Sequence, residues 1–406
     1  MFAHCRRKQV FEPLRIAPNS FGFTVLLGLF AALPALSVDI SAPTLARLPG
    51  ELGTSSAVAG LTLSLFMGGL AMGQATSGNL SDRQGRRPVL LAGLIFFAVA
   101  GTVCALSVSG PMLAAARLVQ GVGAGTCSVM AYAMVQDLFE GAAARAKMSY
   151  VTMIFGAIPI FAPALGAVLT DMFGWRSVHT VLAVAGALTL IVTWTSLPES
   201  RTPRSEMPLP IAGNDTQPLW RDATFVRVVL ANAFSYAAIF VYIAGSPVVI
   251  MRHMGFSSMI FAAVFACTAT ALMAGAWTSG YLSRRGAHAR TLIAPSLAAA
   301  AGATIALAVA SLAGIASAAL LLPLMMAVLF TRGIIAPNLQ QLAIGLHRSR
   351  AGAASAAVGV SQLLAGVVAS GVVAFLIPSF GLIAVTVPMA LLTVASPLLW
   401  IRASRE

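Results

Sequence analysis

The sequence predicts an all-α integral membrane protein with twelve transmembrane helices arranged as two halves of six. Hydrophobic residues make up 58% of the 406 and charged residues only 9%, and the mean hydropathy is +0.89. A soluble domain carries about 25% charged residues. Apolar segments long enough to cross a bilayer as helices recur along the whole chain. These observations exclude a water-soluble fold and make a lipid bilayer the expected surroundings.

Each predicted helix is a mostly apolar run of the length that spans the hydrocarbon core. The spans of the two halves are 21–47, 56–80, 88–109, 111–138, 146–171 and 176–197, then 223–251, 257–282, 289–310, 315–343, 350–376 and 379–401. A polar stretch rich in proline and charge separates the sixth span from the seventh. The predicted parts are therefore an N-terminal segment at 1–20, a first half at 21–197, a linker at 198–222 and a second half at 223–406.

The basic residues orient these helices. A net charge of +13 would by itself also fit nucleic-acid binding. Of the 25 Lys and Arg residues, however, 20 fall in one alternate set of connections and only Arg47, Arg176 and Arg252 fall in the other. Basic residues concentrate on the cytoplasmic side of membrane proteins. The asymmetry predicts that both termini and the linker are cytoplasmic, and it argues against a nucleic-acid partner.

The chain shows no pattern typical of an enzyme, a metal site or a cofactor site. It has no HExxH, GxSxG, P-loop or CxxC sequence. The four cysteines, Cys5, Cys104, Cys127 and Cys267, lack metal-ligand spacing, and three lie within apolar runs, where cysteine is a small packing residue. Without a P-loop, ATP cannot drive the protein directly. We expect no enzymatic activity, no cofactor and no metal.

The connection after the second span is repeated weakly after the eighth. The first copy runs from Gly78 to Pro88 as GNLSDRQGRRP, and the second begins at Gly280 as GYLSRRG, without the aspartate and one residue shorter. In the first copy Gly78 allows a neighbouring helix to approach closely, and Gly85 permits a turn without a Cβ penalty. Asp82 can accept hydrogen bonds from helix N-terminal amides or from the adjacent arginines.

The first copy resembles the signature loop of the major facilitator superfamily, G-x-L-[SA]-D-R-x-G-R-R-P, at every position. The resemblance implies a transporter in which this loop latches the two halves together on the cytoplasmic side. The alternative is an ordinary positively charged loop that only sets topology. The latch residues carried over are Gly78, Asp82, Arg83, Gly85, Arg86 and Arg87.

Further segments, spread from the first helix to the eleventh, look like those of drug/proton antiporters of the Bcr/CflA branch, which includes bicyclomycin, chloramphenicol and florfenicol exporters. The matching segments are Asp39-Ile40 with Pro43, Arg117 with Gln120, Gly121 and Gly123, the fifth-helix motif Gly156, Pro159, Pro163 and Gly166, then Gly174-Trp175-Arg176, Pro337-Asn338, and Gly352 to Gln362. The proline and glycine residues of the fifth helix break the helical hydrogen-bond ladder and allow a bend. The resemblance of their spacing to the antiporter motif implies export. Mere tolerance of these residues in a membrane helix is the alternative.

Asp39 and Arg117 are the predicted proton-coupling pair. Asp39 is the one acidic residue clearly inside a span, and a charge at membrane depth costs several kcal/mol unless it is paired or hydrated. At about 1.5 Å rise per residue, both residues lie roughly 9–14 Å from the outer helix ends, so they can meet or communicate. The alternatives are a structural polar tether for Asp39 and outward snorkelling for Arg117.

Three departures from the antiporter pattern stand out. Ala31 occupies the place where many members carry a second carboxylate, which leaves the proton stoichiometry open. His179 stands where an aromatic residue is usual after G-W-R, and Gln136 precedes Asp137 in place of an arginine.

The remaining candidates are polar or aromatic residues within apolar helices, which either line a substrate cavity or tie helices together. They are Tyr132, Asn232, Tyr236, Arg332, Asn338 and Gln362. For Arg332, which no family motif covers, lining the cavity and reaching the cytoplasmic face are both open.

These features predict a monomeric, proton-coupled exporter of drugs or other small amphiphiles in a bacterial inner membrane, with protons, the substrate and the lipid bilayer as its partners. A symporter, or an exporter of a natural metabolite, is the alternative on the same fold. A membrane sensor that transports nothing is a more remote one.

Overall fold

The computed structural model describes residues 16–139, 141–200, 219–315, 317–347 and 350–404. Within these ranges it contains twelve helices long and apolar enough to cross a membrane, which confirms the predicted fold class. Most of the linker, together with the N-terminal segment before Ile16, lies outside the described residues. The helices are α1 Phe21–Asp39, α2 Ser56–Gln84, α3 Arg86–Ala105, α4 Gly110–Leu138, α5 Gly141–Phe173, α6 Trp175–Ser196, α7 Ala223–Pro247, α8 Ser258–Arg284, α9 Ala289–Leu312, α10 Ala318–Leu346, α11 Ala351–Phe380 and α12 Ile383–Ser404.

Side-chain caps begin several of these helices in both halves. The Ser20 hydroxyl accepts a hydrogen bond from the Phe23 amide (3.1 Å), and the Asp222 carboxylate accepts one from the Phe225 amide (3.0 Å). Such caps satisfy amide groups that have no partner inside the helix. Since Phe23 and Phe225 are both buried, the caps also fix the same register for α1 in the first half and α7 in the second.

Two of the predicted boundaries differ from the structure. The first span does not run as one helix to residue 47: α1 ends at Asp39 and a 3₁₀ turn follows at Ala42–Ala46. Pro43 causes this break because it has no N–H to donate to the Asp39 carbonyl. The seventh span, by contrast, ends near the predicted residue 251, because a π-helical turn at Val248–His253 continues α7.

The second difference lies between the last two helices. The sequence predicted a break at 377–378, yet α11 continues to Phe380 and the chain turns at Gly381, whose φ is +52°. Pro378 is accommodated in the last turn of α11, whereas a positive φ is a conformation that glycine adopts without a steric penalty.

Glycines bring equivalent helices of the two halves into backbone contact. In the first half, a Cβ on Gly125 of α4 would lie 2.3 Å from the Leu70 carbonyl oxygen of α2. In the second half, a Cβ on Gly333 of α10 would lie 2.2 Å from the Leu272 oxygen of α8. Only glycine permits such close approach. A second pair repeats the relation, with Gly73 on Val122 and Gly275 on Phe330. The halves are therefore structural repeats with a defined residue correspondence.

Hydrogen bonds join the two halves toward one end of the bundle. We call the end of the bundle that holds the turn at Gly85 and the chain on both sides of 201–218 the linker end. The opposite end, which holds the turns at Gly174 and Gly381, is the far end. Hydrogen bonds between the halves lie toward the far end: Ser64 to Ser370 (2.9 Å), Arg252 to Ser56 (3.0 Å), and Ser258 to Asp171. The ion pairs Arg86–Asp137 and His347–Asp222 at the linker end each stay within one half.

Candidate functional site

The Asp39 carboxyl group is buried where α1 stops. The residue is only 4% exposed, and among the residues that the structure describes no group forms a hydrogen bond or ion pair with its carboxylate. The break at Pro43 places this carboxyl at the end of a helix, inside the bundle. A charge there is costly unless a proton or a cation neutralises it.

The fifth-helix motif lies directly against this position. A Cβ on Gly166 of α5 would be 2.0 Å from the carbonyl oxygen of Ile40, the residue after Asp39. Pro159 and Pro163 are accommodated within α5, which continues as helix from Gly141 to Phe173. A Cβ on Gly156, by contrast, would meet nothing within 4 Å. Of this motif, Gly166 is therefore the residue that brings α5 onto the end of α1.

Arg117 of α4 is fully enclosed and binds α1. It donates to the Gln120 side-chain oxygen (2.8 Å), to the Ser37 carbonyl oxygen (3.2 Å) and to the Ser41 hydroxyl (3.2 Å). Its guanidinium also lies 4.3 Å from the centre of the Phe66 ring. The residue is 1% exposed, so Arg117 does not snorkel to the surface.

Arg117 and Asp39 lie at one level of α1 but on different sides of it. Ser37 and Ser41 are four residues apart and share one face of the helix, whereas Asp39, two residues from each, points away from that face. The guanidinium therefore contacts the groups that flank Asp39 without pairing with its carboxylate in this conformation.

A set of buried polar groups that the sequence did not assign lies beside Arg117. Three side-chain nitrogens have no hydrogen-bond partner among the described residues: Nε2 of Gln120, Nε1 of Trp175 and Nδ1 of His179. The Trp175 and His179 rings meet edge to face with centroids 5.8 Å apart, and His179 is within electrostatic reach of Arg117. The spacing of four residues was the available signal, because it places Trp175 and His179 on one face of α6.

The signature segment is mostly helix. Helix α2 runs to Gln84, so residues 78–84, including Arg83 in the last turn, are helical, and the chain turns at Gly85 with φ +100°. The expectation that Gly78 admits a neighbouring helix is wrong, since a Cβ there would meet nothing within 4 Å. Asp82 accepts from Arg86 (2.7 Å), one of the two kinds of partner that the sequence offered.

Arg86 joins this segment to α4. Its guanidinium donates to the Asp137 carboxylate (2.8 Å) and to the Ser81 hydroxyl (2.6 Å) while it also pairs with Asp82. The sequence noted Asp137 only as the residue after Gln136, which departs from the antiporter pattern. In the structure Asp137 of α4 bonds Arg86 of α3, which also bonds Ser81 and Asp82 of α2, so the ends of the three helices are joined.

Glu199, at the end of the sixth span, is the residue that sequence reasoning missed. Its carboxylate accepts from the backbone amides of Arg86 (2.9 Å) and Arg87 (3.1 Å) and thereby caps α3. A Cβ on Gly85 would lie 2.7 Å from its Oε2, so both the turn and the cap require glycine. Arg87 also donates to the Trp194 carbonyl oxygen (2.7 Å). No motif pointed to Glu199, because this contact joins segments more than a hundred residues apart.

The second half places its buried arginine differently. Arg332 of α10 is 5% exposed and donates to the Asn232 side-chain oxygen of α7 (2.8 Å), with the Tyr236 ring centre 5.7 Å away. It therefore does not reach the face at the linker end. The Asn338 amide donates to Ser279 of α8 (2.7 Å) and to the Ile334 carbonyl oxygen (2.7 Å). Asn338 thus ties α10 to α8, which is one of the two roles that the sequence left open, the other being to line a substrate cavity.

The other two cavity candidates, Tyr132 and Gln362, are half-buried in α4 and α11. Among the described residues, no group of three or more His, Cys, Asp or Glu side chains has an arrangement that could hold a metal ion.

Comparison with known proteins identifies the family. The Major Facilitator Superfamily profile matches residues 22–370. The uncharacterized MFS-type transporter YdgK of Bacillus subtilis (strain 168) is 30% identical over 354 residues, which cover 86% of this chain and 87% of YdgK. The multidrug resistance protein MdtL of Escherichia coli O139:H28 is 30% identical over 232 residues, or 57% of this chain and 59% of MdtL.

Solved structures show the same fold at lower identity. The crystal structure of a D-xylose-proton symporter has a TM-score of 0.77 at 17% identity and covers 94% of this chain and 97% of its own. A bacterial homologue of the human lysosomal transporter Spinster, in an inward-facing and occupied conformation, has a TM-score of 0.76 at 16% identity, with coverage of 96% and 98%. The chain is a multi-pass membrane protein that belongs to the major facilitator superfamily of transporters.

Proposed function

We propose that this protein is a proton-coupled exporter of drugs or other small amphiphilic molecules, of the Bcr/CflA type, in a bacterial inner membrane. The observation that carries the proposal is the buried, unpaired Asp39 carboxyl at the point where α1 breaks and Gly166 of the antiporter motif packs. The name of MdtL, a multidrug resistance protein, supports the same function.

The linker end is the cytoplasmic end in this proposal. Arg86, Arg87, Arg284 and Arg402 all lie there, and basic residues favour the cytoplasmic side. Both termini are then cytoplasmic, and the contacts between the halves at the far end close the outer side. These contacts support an inward-facing conformation in the proposal, with substrate access from the cytoplasm.

Asp39 carries the proton in this cycle. A proton arriving from outside neutralises the carboxyl and removes the cost of a charge at that depth. Substrate binding competes for the ionised form, which couples substrate exit to proton entry. Arg117 donates hydrogen bonds to the Ser37 carbonyl oxygen and the Ser41 hydroxyl beside Asp39. A change in these hydrogen bonds therefore moves a positive charge relative to the carboxylate.

The charged cluster around Arg86 acts as the latch of this cycle. Asp82, Asp137 and Glu199 already bind Arg86 within the first half, which gives the second half a preformed charged surface to dock on when the linker end closes.

Transport by purified protein tests the function. Proteoliposomes are loaded with buffer of one pH and diluted into another, and the flux of radiolabelled chloramphenicol is measured. Export by antiport predicts substrate movement opposite to the imposed proton gradient, and this movement should stop with a protonophore. Movement along the proton gradient would instead establish symport, and no flux of any of several amphiphiles would favour a sensor.

A reporter test addresses orientation separately. Fusions after Arg221 and Arg350 should read cytoplasmic, and fusions near Gly53 and Gly255 should read external. A cytoplasmic signal at Gly53 would contradict the assigned orientation.

A further inference from the structure

A cavity in the second half is lined only by residues of that half. It has a volume of about 350 Å³ and is enclosed by the far ends of α7, α8, α10 and α12. Its walls are almost wholly apolar, and Met254, Leu321, Met325 and Leu382 are among the residues that line it. The π-helical turn at Val248–His253 forms part of one wall, and turns of this kind are often found at functional sites.

The internal repeat explains why this space is open. The glycine contacts that relate α4 to α10 make Met325 the equivalent of Arg117. The turns at Gly174 and Gly381 are matched because in each the amide three residues later donates to the glycine carbonyl at 3.2 Å. Leu382 is then the equivalent of Trp175.

The first half fills the corresponding space with large side chains. Trp175 is fully buried there, in one cluster with Leu113 and Ala116 of α4. In the second half Leu382 replaces the tryptophan and Met325 replaces the arginine. Because protein interiors are normally close-packed, a volume left by smaller residues at equivalent positions is a distinct cavity and not a packing fluctuation.

The walls indicate what this cavity accepts. None of the lining residues is charged. Three buried residues of the lining carry a hydroxyl group. The Tyr242 hydroxyl bonds that of Thr268 (3.1 Å), and the Thr386 hydroxyl donates to the Leu382 carbonyl oxygen (3.3 Å). The Ser246 hydroxyl is 4% exposed and makes no hydrogen bond of ordinary geometry with the described residues, although the Tyr242 hydroxyl is close to it. A buried hydroxyl without a partner is destabilising, and a ligand that bonds it removes that cost.

The cavity also reaches the surface of the bundle. Ile260, which is 45% exposed, and the exposed Ala318 and Ala319 line its rim in the first turns of α8 and α10. These turns lie at the far end, where a membrane boundary would meet the protein. A molecule dissolved at that boundary can enter there without passing between the halves.

We propose that this cavity is a second ligand site, separate from the transport route, for a neutral lipophilic molecule of one or two rings with a single hydroxyl group. The volume lies at the small end of the range for small-molecule sites. The hydroxyl bonds Ser246, and the rings occupy the space that Trp175 fills in the first half. The site is independent of whether the protein exports drugs.

Photolabelling tests the site directly. The full-length protein in lipid nanodiscs is labelled with a phenol that carries a trifluoromethyl diazirine, with 4-phenylphenol as competitor, and labelled peptides are identified by mass spectrometry. We expect labelling of Met254 or Met325 that saturates and that 4-phenylphenol suppresses.

Two variants and a control decide the outcome. Leu382→Trp should abolish this labelling because it refills the space, whereas Leu398→Trp, on an exposed position of the same helix, should leave it intact. Ser246→Ala should weaken competition by about three- to tenfold, the value of one hydrogen bond. Should Leu382→Trp not fold, Leu382→Phe gives the same test with a smaller ring.

Other results would overturn the proposal. Labelling that does not saturate, that spreads over lipid-facing residues such as Leu398, or that survives Leu382→Trp would show only partitioning into the bilayer. A co-purified phospholipid that blocks labelling, and whose removal does not restore it, would show that an acyl chain holds the cavity instead.

Discussion

The two halves of this transporter share their helix packing but not their buried charges. Glycines at equivalent positions bring α2 into contact with α4 in the first half and α8 into contact with α10 in the second half. When α1 and α7 are aligned at their N-terminal caps, Val241 is the equivalent of Asp39. When α4 and α10 are aligned at their glycine contacts, Met325 is the equivalent of Arg117. The second half is therefore apolar at both positions where the first half holds a charge. The comparison teaches that the repeat supplies the scaffold, while ion coupling can reside in one half alone.

The same asymmetry appears at the linker end. The first half has Asp82 paired with Arg86, whereas its counterpart in the second half is Arg284, followed by Arg285 stacked on Tyr281 with 4.5 Å to the ring centre. The carboxylates Asp137 and Glu199 extend the ionic cluster of the first half. The first half thus carries both the proposed proton site and the proposed latch.

The largest expected effect follows removal of the charge at Asp39. Asp39→Asn should abolish uphill export while binding of substrate persists, because the amide resembles the protonated carboxyl. Substrate-induced proton release from purified protein, with binding followed in parallel, is the measurement. Glu51→Gln, which removes an exposed carboxylate at the far end, is the matched control and should behave as wild type. Proton release that survives Asp39→Asn would place coupling elsewhere.

The two buried arginines should respond differently to substitution. Arg117→Ala should stop coupled transport, and Arg117→Lys should retain part of it because the charge remains while the several directed bonds are lost. Arg332→Ala removes an equally buried arginine that no proposed proton site adjoins, so it should alter substrate binding and leave the proton-to-substrate ratio unchanged. An altered ratio in Arg332→Ala would contradict the assignment of coupling to the first half.

The latch should show a smaller and non-additive effect. Asp82→Asn and Asp137→Asn each remove one partner of Arg86, so each should strongly lower the transport rate without preventing insertion. Since both act through one guanidinium, the double variant should be less impaired than the product of the two single effects. Initial rates at equal protein level are the measurement, and near-normal rates for Asp82→Asn would reduce this segment to a topology signal.

The smallest effect should fall equally on both halves. Gly125→Ala and Gly333→Ala place a Cβ against a carbonyl oxygen at 2.3 and 2.2 Å, so each should cost stability by about 1–3 kcal/mol. Thermal unfolding in detergent measures this, with Gly302→Ala as the control, since its Cβ would meet nothing within 4 Å. A difference between the two glycine variants would show that the halves do not share their packing as closely as the contacts indicate.

Sequence reasoning predicted the helix number and the family correctly, and it selected Asp39 as a candidate, because each of these depends on local properties. Hydropathy over about twenty residues identifies a span whatever its neighbours are, and the rarity of charge inside spans singles out Asp39. The ends of the predicted helices were less accurate. Pro43 ends a helix whereas Pro378 does not, and whether a helix ends at a proline depends on where a following glycine permits a turn.

What this sequence determined by itself is thus the membrane class, the twelve helices and the candidate charges. Only the tertiary structure decided what each charge touches: Arg117 on the opposite side of α1 from Asp39, Asp137 and Glu199 on Arg86, and a cavity where the second half lacks the bulk of Trp175. The physical reason is that helical periodicity sets the face of a residue within its own helix. The partner on that face comes from another helix, distant in the chain, whose rotation and depth are fixed by close packing.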